Sequence, residues 1–189
     1  MIEIHPLNPA RLSDYLDFFD HQAFTDNPHW AGCYCYFYLA PHQEKPWEQR
    51  ESAENRQAIS QCIQQGKLHG YLAYLDGKTA GWCHAVPLAQ LPNLYNPDDP
   101  LAKQTGAVLC FVVAPPYRGQ GLATRLLQAA LDGFRMQGLA YAEARAHPDS
   151  QAQAANYHGP LPMYLAAGFE IISEEGGLVT LRKVLERSD

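Results

Sequence analysis

A chain of 189 residues, 47% hydrophobic and 18% charged, with a formal net charge of −6 from 14 basic and 20 acidic side chains, has material for one domain with a sizeable core or two small ones at most. That balance excludes a disordered polymer, and the acidic sign argues against nucleic-acid recognition by a broad basic surface. No run nears the roughly 18 apolar residues of a membrane helix, and the opening MIEIHPLNPARLSD has neither the charged nor the apolar segment of an export signal. A soluble, cytoplasmic protein is the expectation. The cysteines, Cys33, Cys35, Cys62, Cys83 and Cys110, are odd in number and irregularly spaced, which suits reduced thiols better than a disulfide framework. Tyrosine and histidine are abundant, and such side chains line small-molecule sites or pack half-buried.

In chain order, Ile2 to Leu7 reads as a strand, and Asn8-Pro9 supplies an N-cap and a proline for the first turn of a helix. Leu12, Tyr15, Leu16 and Phe19 give that helix its apolar side. From Phe24 to Trp47 the chain is rich in aromatics and proline without a period, the mark of a functional loop. A polar helix spans Ser52 to Gln65, with Gly66 at its end. YLAYL, Asp76-Gly77 and KTAGWCHAV form the clearest hairpin signal. A loop from Pro87 to Gly106 leads to Ala107 to Val113, an apolar run expected of a strand covered on both faces. Gln120 to Gln137 carries Leu122, Leu126, Leu127, Ala130, Leu131 and Phe134 on one helical stripe, closed by Gly138. Leu139 to Ala146 alternates small alanines with Tyr141, Glu143 and Arg145. A short helix, Leu161 to Ala167, and two strands, Phe169 to Ser173 and Leu178 to Val184, finish the chain. With no internal repeat or linker, residues 1–189 read as a single α/β domain.

The chemistry is carried by a buried strand, a proline turn and then Arg118-Gly119-Gln120-Gly121-Leu122-Ala123 opening a helix. Glycines remove the Cβ atoms that would block a ligand, while unpaired N–H groups and the positive end of the helix dipole face an anion. The pattern therefore points to a phosphate or pyrophosphate site; the plainer alternative is a sharp strand-to-helix turn. A Walker loop is excluded by the absence of Lys and Ser or Thr after its second glycine. A dinucleotide fingerprint fails because the position five residues after Gly119 is Thr124 rather than glycine or alanine.

On these residues the sequence resembles the GNAT superfamily of acyl-CoA-dependent N-acyltransferases. Arg118, Gly121 and Ala123 match its loop pattern directly after a hydrophobic strand, and Tyr164 in MYLAAGF matches its tyrosine four residues before Gly-Phe. The order of helices, hairpin and central strand agrees over most of the chain. The resemblance implies a mixed, mostly antiparallel sheet with a splayed central strand pair and flanking helices. It implies that Phe111, Val112 and Val113 pair with pantetheine as an added strand, and that Arg118, Gly119, Gln120, Gly121, Leu122, Ala123 and Thr124 receive the pyrophosphate. Arg125, one turn on, is a candidate for added positive charge.

The implied reaction is acetyl transfer from acetyl-CoA to a primary amine by direct attack on the thioester, with alignment supplying much of the rate. Tyr164 would protonate the departing thiolate; its bland reading is a packed helix tyrosine. For the general base, Glu143 is the first candidate and His84 the second, against the alternative of salt-bridged or solvated side chains. A family asparagine expected seven residues before the tyrosine is replaced by Tyr157, with Asn156 one position off, so the local loop is assigned to the acceptor site instead. Trp30, Cys33, Tyr34, His84 and Tyr157 are the expected acceptor-site residues. Cys33 and Cys35 with His29 and His42 present a zinc alternative, weighed against cysteine as packing or pocket lining, which is preferred. A small cationic amine is the expected acceptor, with protein or peptide N-terminal acetylation, or a non-catalytic acyl-CoA-binding regulatory module, as alternatives. No nucleic-acid or membrane partner is expected, and a homodimer is compatible with the family.

Overall fold

In the computed structural model, which describes residues 1–148 and 153–186, the chain alternates between a sheet and the elements that cover its two faces. Strand β1 (Ile2–Pro6) leads to a 3-10 turn, Pro9–Arg11, and helix α1 (Leu12–His21). The Asn8 side chain accepts from the Ala10 N–H at 3.0 Å, the cap expected before a proline at the first position. Helix α2 (Ser52–Gln64) starts on Glu51, whose N–H donates to the Glu54 carboxylate at 3.0 Å. Strands β2 (Gly70–Leu75) and β3 (Lys78–Pro87) form the hairpin, and its turn places Asp76 and Gly77 at φ 50° and 78°, the left-handed pair that an Asp-Gly hairpin requires.

Strand β4 (Thr105–Val113), helix α3 (Leu122–Met136), strand β5 (Tyr141–Ala146), helix α4 (Leu161–Ala166) and strands β6 (Glu170–Glu175) and β7 (Leu178–Val184) complete the chain. The sheet runs β1-β2-β3-β4-β5-β7-β6. All its pairs are antiparallel except β4 with β5. This is the mixed, mostly antiparallel arrangement that the resemblance implied.

The faces are distinct. Helices α1 and α2 with the aromatic segment cover one, around Tyr15, Phe18, Phe19, Ile59, Ile63 and Trp82. Helix α3 covers the other with Leu122, Leu126, Leu127, Ala130, Leu131 and Phe134 packed on the alanine side of β5, and small β5 residues permit that close approach. Burial of this stripe drives α3 onto the sheet, since helical propensity alone rarely holds a helix of this length.

Two irregularities set β4 apart from the other strands. Its ladder with β5 covers only Thr105–Val108 against Tyr141–Ala144, so the stretch from Leu109 to Val113 has no strand on that side. Against β3, the pairing steps from His84↔Cys110 to Ala85↔Val108. Leu109 is therefore an extra residue, a bulge that bends the strand.

Candidate active site

The open side of β4 and the start of α3 meet at one cavity of about 1020 Å³. Phe111, Val112 and Val113 line it from the strand; Arg118, Gly119, Gly121, Leu122, Ala123 and Thr124 line it from the loop and first helical turn. The glycines explain the local geometry. Gly119 and Gly121 sit at φ +74° and +79°, and a Cβ added at either would meet nothing within 4 Å. They free the backbone for a left-handed turn and leave open space where a ligand can approach main-chain atoms. The first helical bond of α3 is from the Arg125 N–H to the Gly121 carbonyl at 3.1 Å, so the preceding N–H groups of Leu122, Ala123 and Thr124 have no place in the helical ladder. An extended edge without a neighbouring strand, followed by a helix N-terminus, presents main-chain atoms to one cavity, an arrangement suited to a ligand that carries both amides and an anionic group.

The loop is fastened from both sides. The Arg118 Nε donates to the Val113 carbonyl at 3.0 Å, and its Nη1 and Nη2 meet the Asp26 carboxylate at 2.5 and 3.2 Å. The guanidinium holds the Asp26 carboxyl below its ordinary value. Arg118 is thus a clasp between the glycine loop and the aromatic segment, as well as a source of positive charge. Gln120 points elsewhere, donating to the Pro116 carbonyl at 3.2 Å, and does not line the cavity; Arg125 does not either.

The rest of the cavity mixes aromatic side chains with polar ones, among them His29, Arg50, Ser52 and Asn55. Phe19, Phe24, Trp30, Phe37, Tyr38 and Trp47 contribute, with Cys33, Cys35, Cys110 and Tyr157. The Tyr157 ring lies 5.5 Å from Trp30 and 4.0 Å from His158. The segment between α1 and α2 has only single 3-10 turns, Pro28–Trp30, Phe37–Leu39 and Trp47–Gln49. Side chains hold it: the Tyr15 hydroxyl donates to the Tyr34 carbonyl at 2.8 Å, the Asn55 Nδ2 to the Gly32 carbonyl at 2.9 Å, and the Asn93 Nδ2 to the Ala40 carbonyl at 3.0 Å. Tyr34 and Cys35 both occupy the left-handed region, at φ 46° and 51°. Two consecutive non-glycine residues there cost about 1–3 kcal/mol each, which these bonds help offset.

Several expected site residues lie outside the cavity lining. Tyr34 donates its hydroxyl to Asp20 at 2.7 Å and anchors the turn rather than facing the cavity. Glu143 is held by Arg182, whose Nη2 approaches it at 2.6 Å. Tyr164 is fully buried, 6.4 Å from Phe111 between ring centroids, and donates to the His158 carbonyl at 2.5 Å; burial raises its pKa well above the ordinary phenol value. His84 is 1% exposed and lies on β3 directly across from Cys110. The acidic excess of the chain does not gather here either, because Asp26 is the only carboxylate among the lining residues.

Among the described residues, no group of three or more His, Cys, Asp or Glu side chains could hold a metal ion. His42 instead has its Nε2 2.8 Å from the Phe37 carbonyl, while Cys33 and Cys35 line the cavity. His158 was not foreseen: its Nδ1 bonds the Leu109 carbonyl at 3.0 Å, filling the first main-chain position freed by the splay, and burial lowers its pKa. Nor were Asp26, Arg50 and Asn55. Their partners lie in other segments, and only the motif loop itself carried a signal.

Comparison with known proteins agrees with this geometry. The GNAT domain of S. lividans PAT has 19% identity and a TM-score of 0.63, over 97% of this chain and 90% of that one. The PaiA N-acetyltransferase of Thermoplasma acidophilum, solved in complex with coenzyme A, has 16% identity and a TM-score of 0.57, over 97% and 99%. The ribosomal-protein-S18-alanine N-acetyltransferase of Escherichia coli has 14% identity and a TM-score of 0.56, over 100% and 97%. At such identities the likeness concerns the fold. No curated protein matches the sequence. The profile described as "Acetyltransferase (GNAT) family" matches residues 15–159, and the chain belongs to that family.

Proposed function

We propose that the protein is an N-acetyltransferase that moves an acetyl group from acetyl-CoA to the primary amine of a small molecule, with residues 1–189 acting as one domain. One observation carries the reading: the unpaired end of β4 and the N-terminus of α3 open on the same cavity as the aromatic segment. A donor bound along the first two would present its thioester to an acceptor held by the third. The thioester is already activated, so the transfer can proceed without a covalent intermediate when amine and carbonyl are aligned.

Tyr164 fits a hydrogen-bond donor to the departing sulfur. A phenol near 10 faces a thiol near 8.5 in their ordinary states, and burial widens that gap, so a shared hydrogen bond rather than full proton transfer is the favoured mode. Its hydroxyl must exchange the His158 carbonyl for the sulfur to do so. Glu143 would have to leave Arg182 to act as a base, and His84 is the alternative. The aromatic lining suits an amine on an apolar body, with cation–π attraction to its ammonium form. No helix among the described residues is long and apolar enough to cross a membrane, and we place the protein in the cytoplasm.

CoA release from acetyl-CoA across a panel of small primary amines and N-terminal peptides tests the assignment. Turnover with small amines is expected. Turnover confined to peptides would move the assignment to protein N-terminal acetylation, and acetyl-CoA binding without release for any acceptor would leave a regulatory binding module.

A further inference from the structure

We propose that the acceptor carries a carboxylate as well as its amine, being an amino acid with an apolar or aromatic side chain, and that Arg50 receives the carboxylate. Given the acetyltransferase reading, on which this rests, the acceptor narrows from primary amines at large to amino acids.

Arg50 follows the last 3-10 turn of the aromatic segment, Trp47–Gln49, and lines the cavity together with Phe37, Tyr38 and Trp47. Its Nε donates to the Asn55 Oδ1 at 3.0 Å. Asn55 is 3% exposed on α2, and its Nδ2 donates in turn to the Gly32 carbonyl, so the anchor is itself fixed. The guanidinium carbon stands 5.1 Å from the centre of the Tyr36 ring, a cation–π contact that holds one face of the group. A half-buried arginine held by one nitrogen and one face is oriented rather than loose.

The charge of that group is the second observation. Arg56, Arg118, Arg135 and Arg182 each pair with a carboxylate. Arg50 is held by a neutral amide, which orients the guanidinium without neutralising it, and among the described residues its Nη1 and Nη2 have no hydrogen-bond or ion-pair partner. The acids of this region are committed elsewhere. Asp26, the only carboxylate among the described lining residues, is taken by Arg118, and both oxygens of Glu54 accept from Lys45 at 2.7 Å. With Nε used by Asn55, the two terminal nitrogens form the remaining edge, and such a planar pair of N–H donors matches the two oxygens of a carboxylate.

The same lining argues against acceptors with several ammonium groups, because its one acid is already paired. A peptide N-terminus would bring a neutral amide to donors suited to an anion. Arg50 belongs to the segment between α1 and α2, apart from the β4 edge and α3 start assigned to the donor, so the anion it awaits is the acceptor's. An amino acid meets all three conditions: one amine for the thioester, one carboxylate for Arg50, and a body that packs against the aromatic rings.

Initial rates of CoA release across free amino acids, each compared with its carboxamide and with the amine lacking the carboxylate, test this. For the best amino acid, kcat/KM is expected to exceed that of either counterpart by about 100-fold, mainly through KM. In Arg50→Gln that ratio should fall to within a few-fold of one while the KM for acetyl-CoA stays close to the wild-type value. Arg50→Lys, which keeps the charge but not the fork, should fall between the two. A wild-type ratio near one overturns the inference whatever the variants do, and turnover of those amines would leave the acetyltransferase reading standing. A ratio that survives Arg50→Gln overturns it by placing the carboxylate on other residues, and a raised KM for acetyl-CoA in that variant, with the ratio unchanged, would give Arg50 to the donor's phosphates instead. No release with any acceptor would remove the acetyltransferase reading as well.

Discussion

The two halves of the cavity are built by different means. The half we propose for the donor uses main-chain geometry: glycines at positive φ, a strand missing its neighbour and a helix start. The half we propose for the acceptor uses side chains, with a segment of single turns pinned by tyrosine and asparagine to distant carbonyls. Main-chain recognition suits a ligand whose phosphates and amides are the same whatever acyl group it carries. Side-chain recognition suits the variable partner. Damage to the first half should therefore appear as lost donor binding, and damage to the second as lost acceptor use or stability.

The largest expected effect is on the donor half. Gly121→Val puts a β-branched side chain at φ +79° and into space now open; strain of about 1–3 kcal/mol together with the blocked approach should raise the KM for acetyl-CoA by about 100-fold, read from initial rates. An unchanged KM would show that the donor does not use this turn. Tyr164→Phe comes next and tests the seam between the halves. Loss of the hydroxyl should lower kcat by roughly 100-fold while acetyl-CoA binding, measured by calorimetry, stays within a few-fold; undiminished turnover removes the assignment.

Tyr15→Phe probes the acceptor half. The ring keeps its contacts with Phe19 and Trp82, at 4.6 and 5.0 Å between centroids, but the Tyr34 carbonyl loses its buried partner. A cost of about 1–3 kcal/mol should lower Tm by roughly 3–10 °C and reduce turnover without changing acetyl-CoA binding. Equal losses in both binding and turnover would mean that the halves are mechanically one unit.

The smallest effect is a pH dependence on the acceptor side. Arg56 and the Tyr34 hydroxyl hold the Asp20 carboxyl below its ordinary value of 3.8. A folded-state value depressed in this way adds stability that is complete above the unfolded value and is lost as pH falls through the folded one. Denaturant titrations at pH 6 and below pH 4 should thus show a loss of under about 1 kcal/mol that Asp20→Asn no longer shows.

The sequence disclosed these halves unequally. The stripe of α3 repeats with a helical period, and the Asp76-Gly77 turn declares its backbone, so both could be placed from local pattern. The turn at Gly119 and Gly121 was readable because glycine spacing reports main-chain shape. The aromatic segment depends on pairs far apart in the chain, such as Tyr15 with Tyr34 or Asn93 with Ala40, and periodicity is silent about them. His84 shows the limit well. Its strand was evident, but burial against Trp82 and Tyr38 depends on which loop folds over that face.

The bulge at Leu109 has a consequence for the phase of β4. Ala107 packs toward the aromatic side and Val108 toward α3, yet Leu109 and Cys110 both return to the aromatic side before Phe111 faces α3. The alternation slips by one residue, and in a strand with polar positions on one face that slip would drive a polar side chain into a core. Here every side chain of the run AVLCFVV is apolar, so the phase error has no compositional cost. One strand can then serve as ordinary sheet up to Val108 and as a docking edge beyond it. Removing the single residue Leu109 would bring the ladder with β3 back into step and take away the bend that separates the two roles.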